Sequence, residues 1–168
     1  LIEDKSLINR ATKGVYELGS VFKTFTYAAG INEGLIEPDT RFTNLEKKIY
    51  CSKFSIGEYD EKIPTNLTAE QILIRSGNIG SIRIAQKVGQ DKFKKFLYDL
   101  GLFDTLNFDI EEIGTPLKFK WGKCKLATAA YGHGITTTLL QLAKGYSIIS
   151  NGGYNINPTL ILDEKKRN

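Results

Sequence analysis

The sequence predicts an α+β protein that is mainly helical, with strands only near its two ends. Apolar residues are dense over residues 20–31 and 139–149, as in helices that pack on several sides. Thr68 and Gln71 stand three residues apart as a capping box, which marks a helix start. The run Pro158–Leu162 has the composition of a strand. Helices are therefore expected to form most of the core.

The first helix is expected to begin at Ser20 and to end at Glu33-Gly34. It is apolar around most of its circumference, which predicts a central and buried position. Residues 35–64 carry charges and no sustained period, so they are expected at the surface, with a turn at 37–40 and at most a short strand at 48–50.

Further helices follow from the same signals. A helix that begins after Thr68 should stop at Ser76-Gly77-Asn78. The threonines at 136–138 can cap a late helix that ends before a Gly-Gly pair. Residues 104–125 are expected to form a loop. The remaining predicted helices are Ile79–Val88, Asp91–Leu100 and Leu139–Ile149.

Composition limits the classes of function. With 168 residues, of which 41% are apolar, the chain can form one domain with a core. Its net charge of +4 is dispersed, which argues against a nucleic-acid surface. Two cysteines, Cys51 and Cys124, and one histidine make a structural zinc site unexpected and leave a disulfide open. No apolar run reaches the ~20 residues of a membrane span.

Ser20 and Lys23 form the candidate chemical centre. Residues three apart on a helix share a face, so the Lys23 amine can approach the Ser20 hydroxyl. A serine needs its proton removed as it attacks, and a lysine with a pKa lowered by burial can accept it. By itself the Ser-x-x-Lys pattern is weak, because eight serines and eighteen lysines give about one occurrence by chance.

Four ordered segments resemble the penicillin-binding transpeptidases, closest to the class B enzymes that include the septal type of cell division. Residues 16–25, Tyr-Glu-Leu-Gly-Ser-Val-Phe-Lys-Thr-Phe, are similar to the first family motif, and residues 33–40 to the turn after it. Residues 75–80, Arg-Ser-Gly-Asn-Ile-Gly, resemble the second motif, Ser-x-Asn. Residues 131–135, Tyr-Gly-His-Gly-Ile, resemble a glycine-rich entry to a later helix.

The resemblance implies a role for each matching residue. Ser20 would be the nucleophile that a stem peptide or penicillin acylates, and Lys23 would take its proton. Ser76 would return a proton to the leaving amine, and Asn78 would bind the substrate amide and help to orient Lys23. The shared site then requires the Ser20 and Ser76 hydroxyls to lie within hydrogen-bonding reach of Lys23, or one water beyond. His133 is expected to be a loop residue rather than a base.

Two departures from the family pattern stand out. Leu18 occupies a position where the family usually has proline, and the third motif, Lys-Thr-Gly or Lys-Ser-Gly, does not occur. We therefore interpret residues 1–168 as a partial transpeptidase domain of the serine transpeptidase/β-lactamase-like fold, without the N-terminal strands and the strand of the third motif. As an isolated piece it is expected to be inactive and not to fold cooperatively.

The function implied is a peptidoglycan D,D-transpeptidase that acts through a serine acyl-enzyme, without metal or cofactor. Its expected partners are stem peptides, β-lactams and membrane proteins of the division or elongation machinery, and nucleic acid is not expected. The expected location is the bacterial inner membrane, with the catalytic domain on the periplasmic or extracellular side. The alternatives are a serine β-lactamase or D,D-carboxypeptidase of the same fold, and a non-catalytic penicillin-binding sensor.

Overall fold

The computed structural model describes residues 7–122 and 124–162, which divide into two compact units. The first unit comprises residues 1–16, 98–118 and 136–168, and the second comprises residues 17–97 and 119–135. All four candidate catalytic residues belong to the second unit. No helix within the described ranges combines the length and the apolar character that crossing a bilayer would require.

The second unit is built on two helices that pack together. A short 3-10 helix at Gly19–Phe22 leads into α1, Lys23–Asn32, which packs against α3, Asn78–Val88. Gly30 permits the close approach, because a Cβ there would lie within 3.1 Å of Ile84. The apolar side chains with no exposed surface in these elements are Phe22, Phe25, Ala29, Ile79, Ile82 and Ala85.

Helix α2, Ala69–Ile74, and α4, Gln90–Asp99, flank α3 in the chain. The capping box is present at the start of α2: the Thr68 hydroxyl accepts from the Gln71 N–H, and the Gln71 side chain accepts from the Thr68 N–H. Gly80 of α3 is required for packing, because a Cβ would meet the Ile72 side chain at 2.5 Å. Helices α2 and α3 therefore pack closely against each other.

Two antiparallel strand pairs lie beside these helices. Strand β2, Arg41–Phe42, pairs with β5, Leu67–Thr68. Strand β3, Lys48–Cys51, pairs with β4, Phe54–Gly57, so that Cys51 lies opposite Phe54 across a two-residue turn. A disulfide joins Cys51 to Cys124, the residue before α5, Lys125–Ala129. It ties the β3–β4 hairpin to the start of α5.

The first unit contains a short sheet and a helix. Strand β1, Val15–Glu17, whose first two residues belong to this unit, pairs with β6, Thr136–Thr138. The Thr138 hydroxyl accepts from the Gln141 N–H at 3.1 Å and caps α6, Leu139–Ser150. The buried Gln141 side chain also donates to the Gly101 carbonyl.

The helices predicted from the sequence are confirmed, with ends shifted by a few residues. The first begins as a 3-10 helix. It is buried on fewer sides than expected, because Val21 and Ile31 are each nearly half exposed. The strand predicted over Pro158–Leu162 is wrong. None of these five residues, all within the described part of the chain, forms a strand: the Leu160 N–H donates to the Asp109 carboxylate instead. Four of the six strands lie in the middle of the chain, where only one short strand was expected.

The disulfide should contribute to the stability of the chain, because it closes a loop of 73 residues. A crosslink of this kind typically stabilises by about 2–4 kcal/mol, in part by restricting the unfolded chain. We expect the C51S/C124S double variant to unfold at lower denaturant concentration than the oxidised wild type, and at the same concentration as the reduced wild type. Two reactive thiols in the denatured, unreduced protein would contradict the pairing.

Candidate active site

Ser20 lies at a corner between strand β1 and helix α1. The backbone N–H of Leu18 donates to the Ile135 carbonyl, and that of Gly19, in a left-handed conformation with φ of 53°, donates to the Gly132 carbonyl. These bonds fix the backbone on the N-terminal side of Ser20. The Ser20 side chain is exposed, as a nucleophile that meets a substrate must be.

Gly132 belongs to the Tyr-Gly-His-Gly segment and packs directly on this corner. It has a φ of 81°, and a Cβ there would collide with the Gly19 carbonyl and with Phe22. Both the positive φ and the lack of space for a Cβ therefore require glycine at position 132. The segment's contribution to the site is this close backbone approach to Gly19.

Lys23 begins α1 and points its amine at the α2–α3 turn. Its side chain is 3% exposed, and its backbone N–H donates to the Ser20 carbonyl. The Nζ atom donates to the Ser76 carbonyl at 2.5 Å and to the Ser76 hydroxyl at 3.0 Å. The expected approach of Ser76 to Lys23, over 53 positions in the chain, is confirmed.

Burial lowers the pKa of Lys23 from 10.5 to about 8, because removing water from the ammonium disfavours its charged form. The negative charge of Glu58 acts in the opposite direction and raises the pKa of Lys23. Near neutral pH, a sizeable minority of the molecules therefore carry an uncharged amine at this position, which an ordinary surface lysine does not.

Ser76 and Asn78 occupy the turn between α2 and α3. Ser76 has a φ of 52°, which is uncommon for a residue with a side chain, and its own side chain is exposed. The Asn78 side chain donates from Nδ2 to the Gly57 carbonyl at 2.9 Å, and so links the start of α3 to the end of β4. Asn78 is thus held beside Ser76, with its amide nitrogen bound to backbone.

Glu58 also contacts this turn, and no sequence pattern predicted this contact. Its carboxylate accepts the backbone N–H of Asn78 at 2.5 Å and that of Ile79 at 2.9 Å. Twenty positions separate Glu58 from Asn78 in the chain, and no motif joins them. A hydrogen bond of this kind depends on how β4 packs, which local sequence patterns do not report.

His133 lies in the turn after α5. Its Nδ1 atom is 3.0 Å from the Glu17 carboxylate, its ring stacks on Tyr131, and its side chain is well exposed. Next to these rings is a mostly apolar pocket of about 540 Å³, which the disulfide also lines. The contacts of His133 are with Glu17 and Tyr131, in agreement with the expectation of a loop residue.

The site combines an exposed hydroxyl, a buried amine one helical turn later and a second hydroxyl bonded to that amine. Such a set can deprotonate a nucleophile and return the proton through another oxygen. The structure brings Lys23 and Ser76 into direct contact and joins Ser20 to Lys23 through the backbone. Asn78 is held next to Ser76 but bonds to Gly57.

A family model described as the penicillin-binding protein transpeptidase domain matches residues 2–168. A protein of Caulobacter vibrioides named probable peptidoglycan D,D-transpeptidase FtsI is 30% identical over 151 residues, which cover 89% of this chain and 25% of that protein. The penicillin-binding protein PbpB of Mycolicibacterium smegmatis is 28% identical, with coverage of 94% and 25%. The chain thus spans about a quarter of the length of these relatives.

Solved structures show the same fold. A crystal structure named as a peptidoglycan glycosyltransferase from Burkholderia ambifaria has a TM-score of 0.87 at 22% identity, over 98% of this chain and 52% of the other. Penicillin-binding protein 3 of Mycobacterium tuberculosis, complexed with aztreonam, has a TM-score of 0.83 at 25% identity, over 91% and 35%.

The lowered pKa of Lys23 makes the stability of the chain depend on pH. Between about pH 8 and pH 10.5, Lys23 has lost its proton in the folded state but keeps it in the unfolded state. The free energy of unfolding should therefore rise with pH over this range. One such group contributes at most about 1.4 kcal/mol per pH unit. We expect Lys23→Met to be more stable than the wild type at pH 7.5, with a difference that shrinks towards pH 9.5.

Chemical denaturation at several pH values, on the protein expressed at the full length of its open reading frame, measures this difference. Lys87→Met, which removes an exposed lysine from α3, controls for the loss of one positive charge. A Lys23→Met difference that stays constant across the range would contradict the lowered pKa of Lys23.

Proposed function

The chain belongs to the penicillin-binding protein transpeptidase family, and from that premise we propose that it carries the acylation centre of a peptidoglycan D,D-transpeptidase. Ser20 is the nucleophile, Lys23 its base and Ser76 the proton carrier. The observation that carries this assignment is the buried Lys23 amine, bonded to the Ser76 hydroxyl at 3.0 Å and one helical turn from Ser20.

Acylation begins with the neutral form of Lys23. A neutral amine has two N–H donors and one lone pair. The carbonyl and the hydroxyl of Ser76 engage the two donors, which leaves the lone pair for the Ser20 proton. As Ser20 Oγ bonds to the carbonyl carbon of the scissile peptide bond, its proton passes to Lys23 and a tetrahedral adduct forms.

Collapse of the adduct breaks the bond to the leaving amine, which requires a proton. Ser76 can donate its hydroxyl proton to that nitrogen and take one from the Lys23 ammonium, so the proton lost by Ser20 leaves with the amine. The amine of a second stem peptide then attacks the Ser20 ester, and the same groups act in reverse. Asn78 helps to hold the turn through its bond to Gly57. The rest of its side-chain amide can form hydrogen bonds with the substrate.

A β-lactam would acylate Ser20 by the same first step. The ring nitrogen leaves the carbonyl carbon but stays attached to the drug, so it continues to occupy the position that an acceptor amine needs. Penicillin-binding protein 3 of Mycobacterium tuberculosis, which is 25% identical to this chain, forms complexes with aztreonam and with ampicillin. This supports the same class of ligand here.

The proposed setting is the outer side of the bacterial inner membrane, with membrane proteins of cell division or elongation as partners. The Cys51–Cys124 disulfide supports the oxidising side, since stable disulfides are uncommon in the cytosol. The relative named FtsI supports the division setting by similarity.

Ser20→Ala should abolish formation of the covalent β-lactam adduct, because the variant lacks the oxygen that would carry the acyl group. The protein is expressed at the full length of its open reading frame, incubated with a fluorescent penicillin and analysed by mass spectrometry after digestion. Ser55→Ala, an exposed serine on β4, is the matched control and should label as the wild type does.

Two outcomes would contradict the assignment. The drug on a residue other than Ser20 would overturn the choice of nucleophile. Rapid steady-state hydrolysis of a chromogenic β-lactam would favour a β-lactamase over a transpeptidase, because a transpeptidase releases the acyl group slowly to water.

A further inference from the structure

Glu58 occupies a position that connects two parts of the site. It follows β4 directly, and its two carboxylate oxygens accept separate backbone N–H groups at the start of α3: Oε2 accepts from Asn78 and Oε1 from Ile79. The bond lengths are 2.5 and 2.9 Å. Glu58 is therefore a helix cap supplied from a remote strand.

Helix α3 needs such a cap. The first N–H groups of a helix have no acceptor within the helix, and Gly77, at the N-cap position, has no side chain to supply one. Two parallel donors call for two acceptor oxygens, which a carboxylate has and a carboxamide lacks. The negative charge also interacts favourably with the helix dipole.

The residues that Glu58 holds adjoin the reacting groups. Ser76 lies two positions before Asn78, in a left-handed conformation that the surrounding bonds must maintain. Both Lys23 Nζ contacts are made to Ser76, so a shift of this turn would change them directly. Asn78 is bound twice, by Glu58 at its N–H and by Gly57 at its side chain.

We propose that Glu58 is a positioning residue of the acylation centre: by capping α3 it holds the Ser76 turn against Lys23. This inference rests on the proposed function, since it assigns a residue to the same reaction. A second effect comes from its charge, because Glu58 raises the pKa of Lys23 and so offsets part of the effect of burial.

Other charged residues lie on the helices that pack against α1. Glu70 on α2 acts on Tyr27, and Arg83 on α3 pairs with Glu46. Lys87, also on α3, is exposed. Glu58 is the charged group that acts on Lys23 among the residues described.

The test compares Glu58→Gln, Glu58→Asp and a control, Glu61→Gln, in the protein expressed at full length. Glu61 lines the same cavity of about 300 Å³ as Glu58, so Glu61→Gln removes one negative charge from the same place. It leaves the α3 cap in place, because the N–H groups of Asn78 and Ile79 bond to Glu58. The measurements are the second-order rate of acylation by a penicillin from pH 6 to 10 and hydrogen exchange at the Asn78 and Ile79 amides.

In the wild type and Glu61→Gln, the acylation rate should rise as Lys23 loses its proton, with a midpoint near pH 8. Glu58→Gln should move that midpoint to lower pH, because the charge that opposes deprotonation is gone. Its rate on the high-pH plateau should fall by about 10- to 100-fold, since the Ser76 turn is no longer held in position. Amide exchange at Asn78 and Ile79 should become faster.

Glu58→Asp keeps the charge on a shorter side chain, so its midpoint should stay near that of the wild type while part of the rate is recovered. A Glu58→Gln variant with an unchanged midpoint and plateau, in an active wild-type background, would overturn this inference alone. If Glu58→Gln does not fold, Glu58→Asp provides the test. A Glu58→Asp protein with the acylation rate and the amide exchange of the wild type would overturn this inference. A wild type that penicillin does not acylate would overturn the proposed function and this inference together.

Discussion

The rest of the site depends on the burial of the Lys23 amine. An ammonium group is costly to remove from water unless it is paired or loses its proton. Here it is 3% exposed, bonded to both oxygens of Ser76, and its pKa is lowered to about 8. Stability would favour an apolar side chain at this position, and the proposed role of Lys23 as a base would explain why a lysine is there.

The surrounding structure keeps that amine in place from three directions. Helix α1 carries it and packs on α3 through the small residue Gly30. The corner before Ser20 is fixed by Gly132, where a larger residue would collide. The Ser76 turn is fixed by Glu58 from the end of β4. Each of these contacts joins residues distant in sequence, so the site exists only in the folded chain.

Local patterns predicted the helices other than the short α5, and they singled out Ser20 and Lys23 as a candidate pair. The Thr68–Gln71 capping box and the Ser20–Lys23 spacing depend on neighbours three positions apart, and such features are visible in the sequence. The short strand expected at 48–50 is present as β3, but the β1–β6 and β2–β5 pairs were missed because they join residues distant in sequence. The Cys51–Cys124 bond, which the sequence left open, is non-local in the same way. Pro158–Leu162 has the composition of a strand but no partner, and its N–H groups bond to side chains instead. The contact of Glu58 with α3 was missed because it, too, joins residues distant in sequence.

The most direct test of this account is the protonation of Lys23 itself. The full-length protein, with lysines labelled with ¹³C at Cε, is titrated by NMR, and Lys23→Arg identifies the Lys23 signal. The account predicts one lysine that titrates near pH 8 and that is absent from the variant. If the signal that disappears instead titrates near the ordinary lysine value of about 10.4, Lys23 is not the base that this account requires.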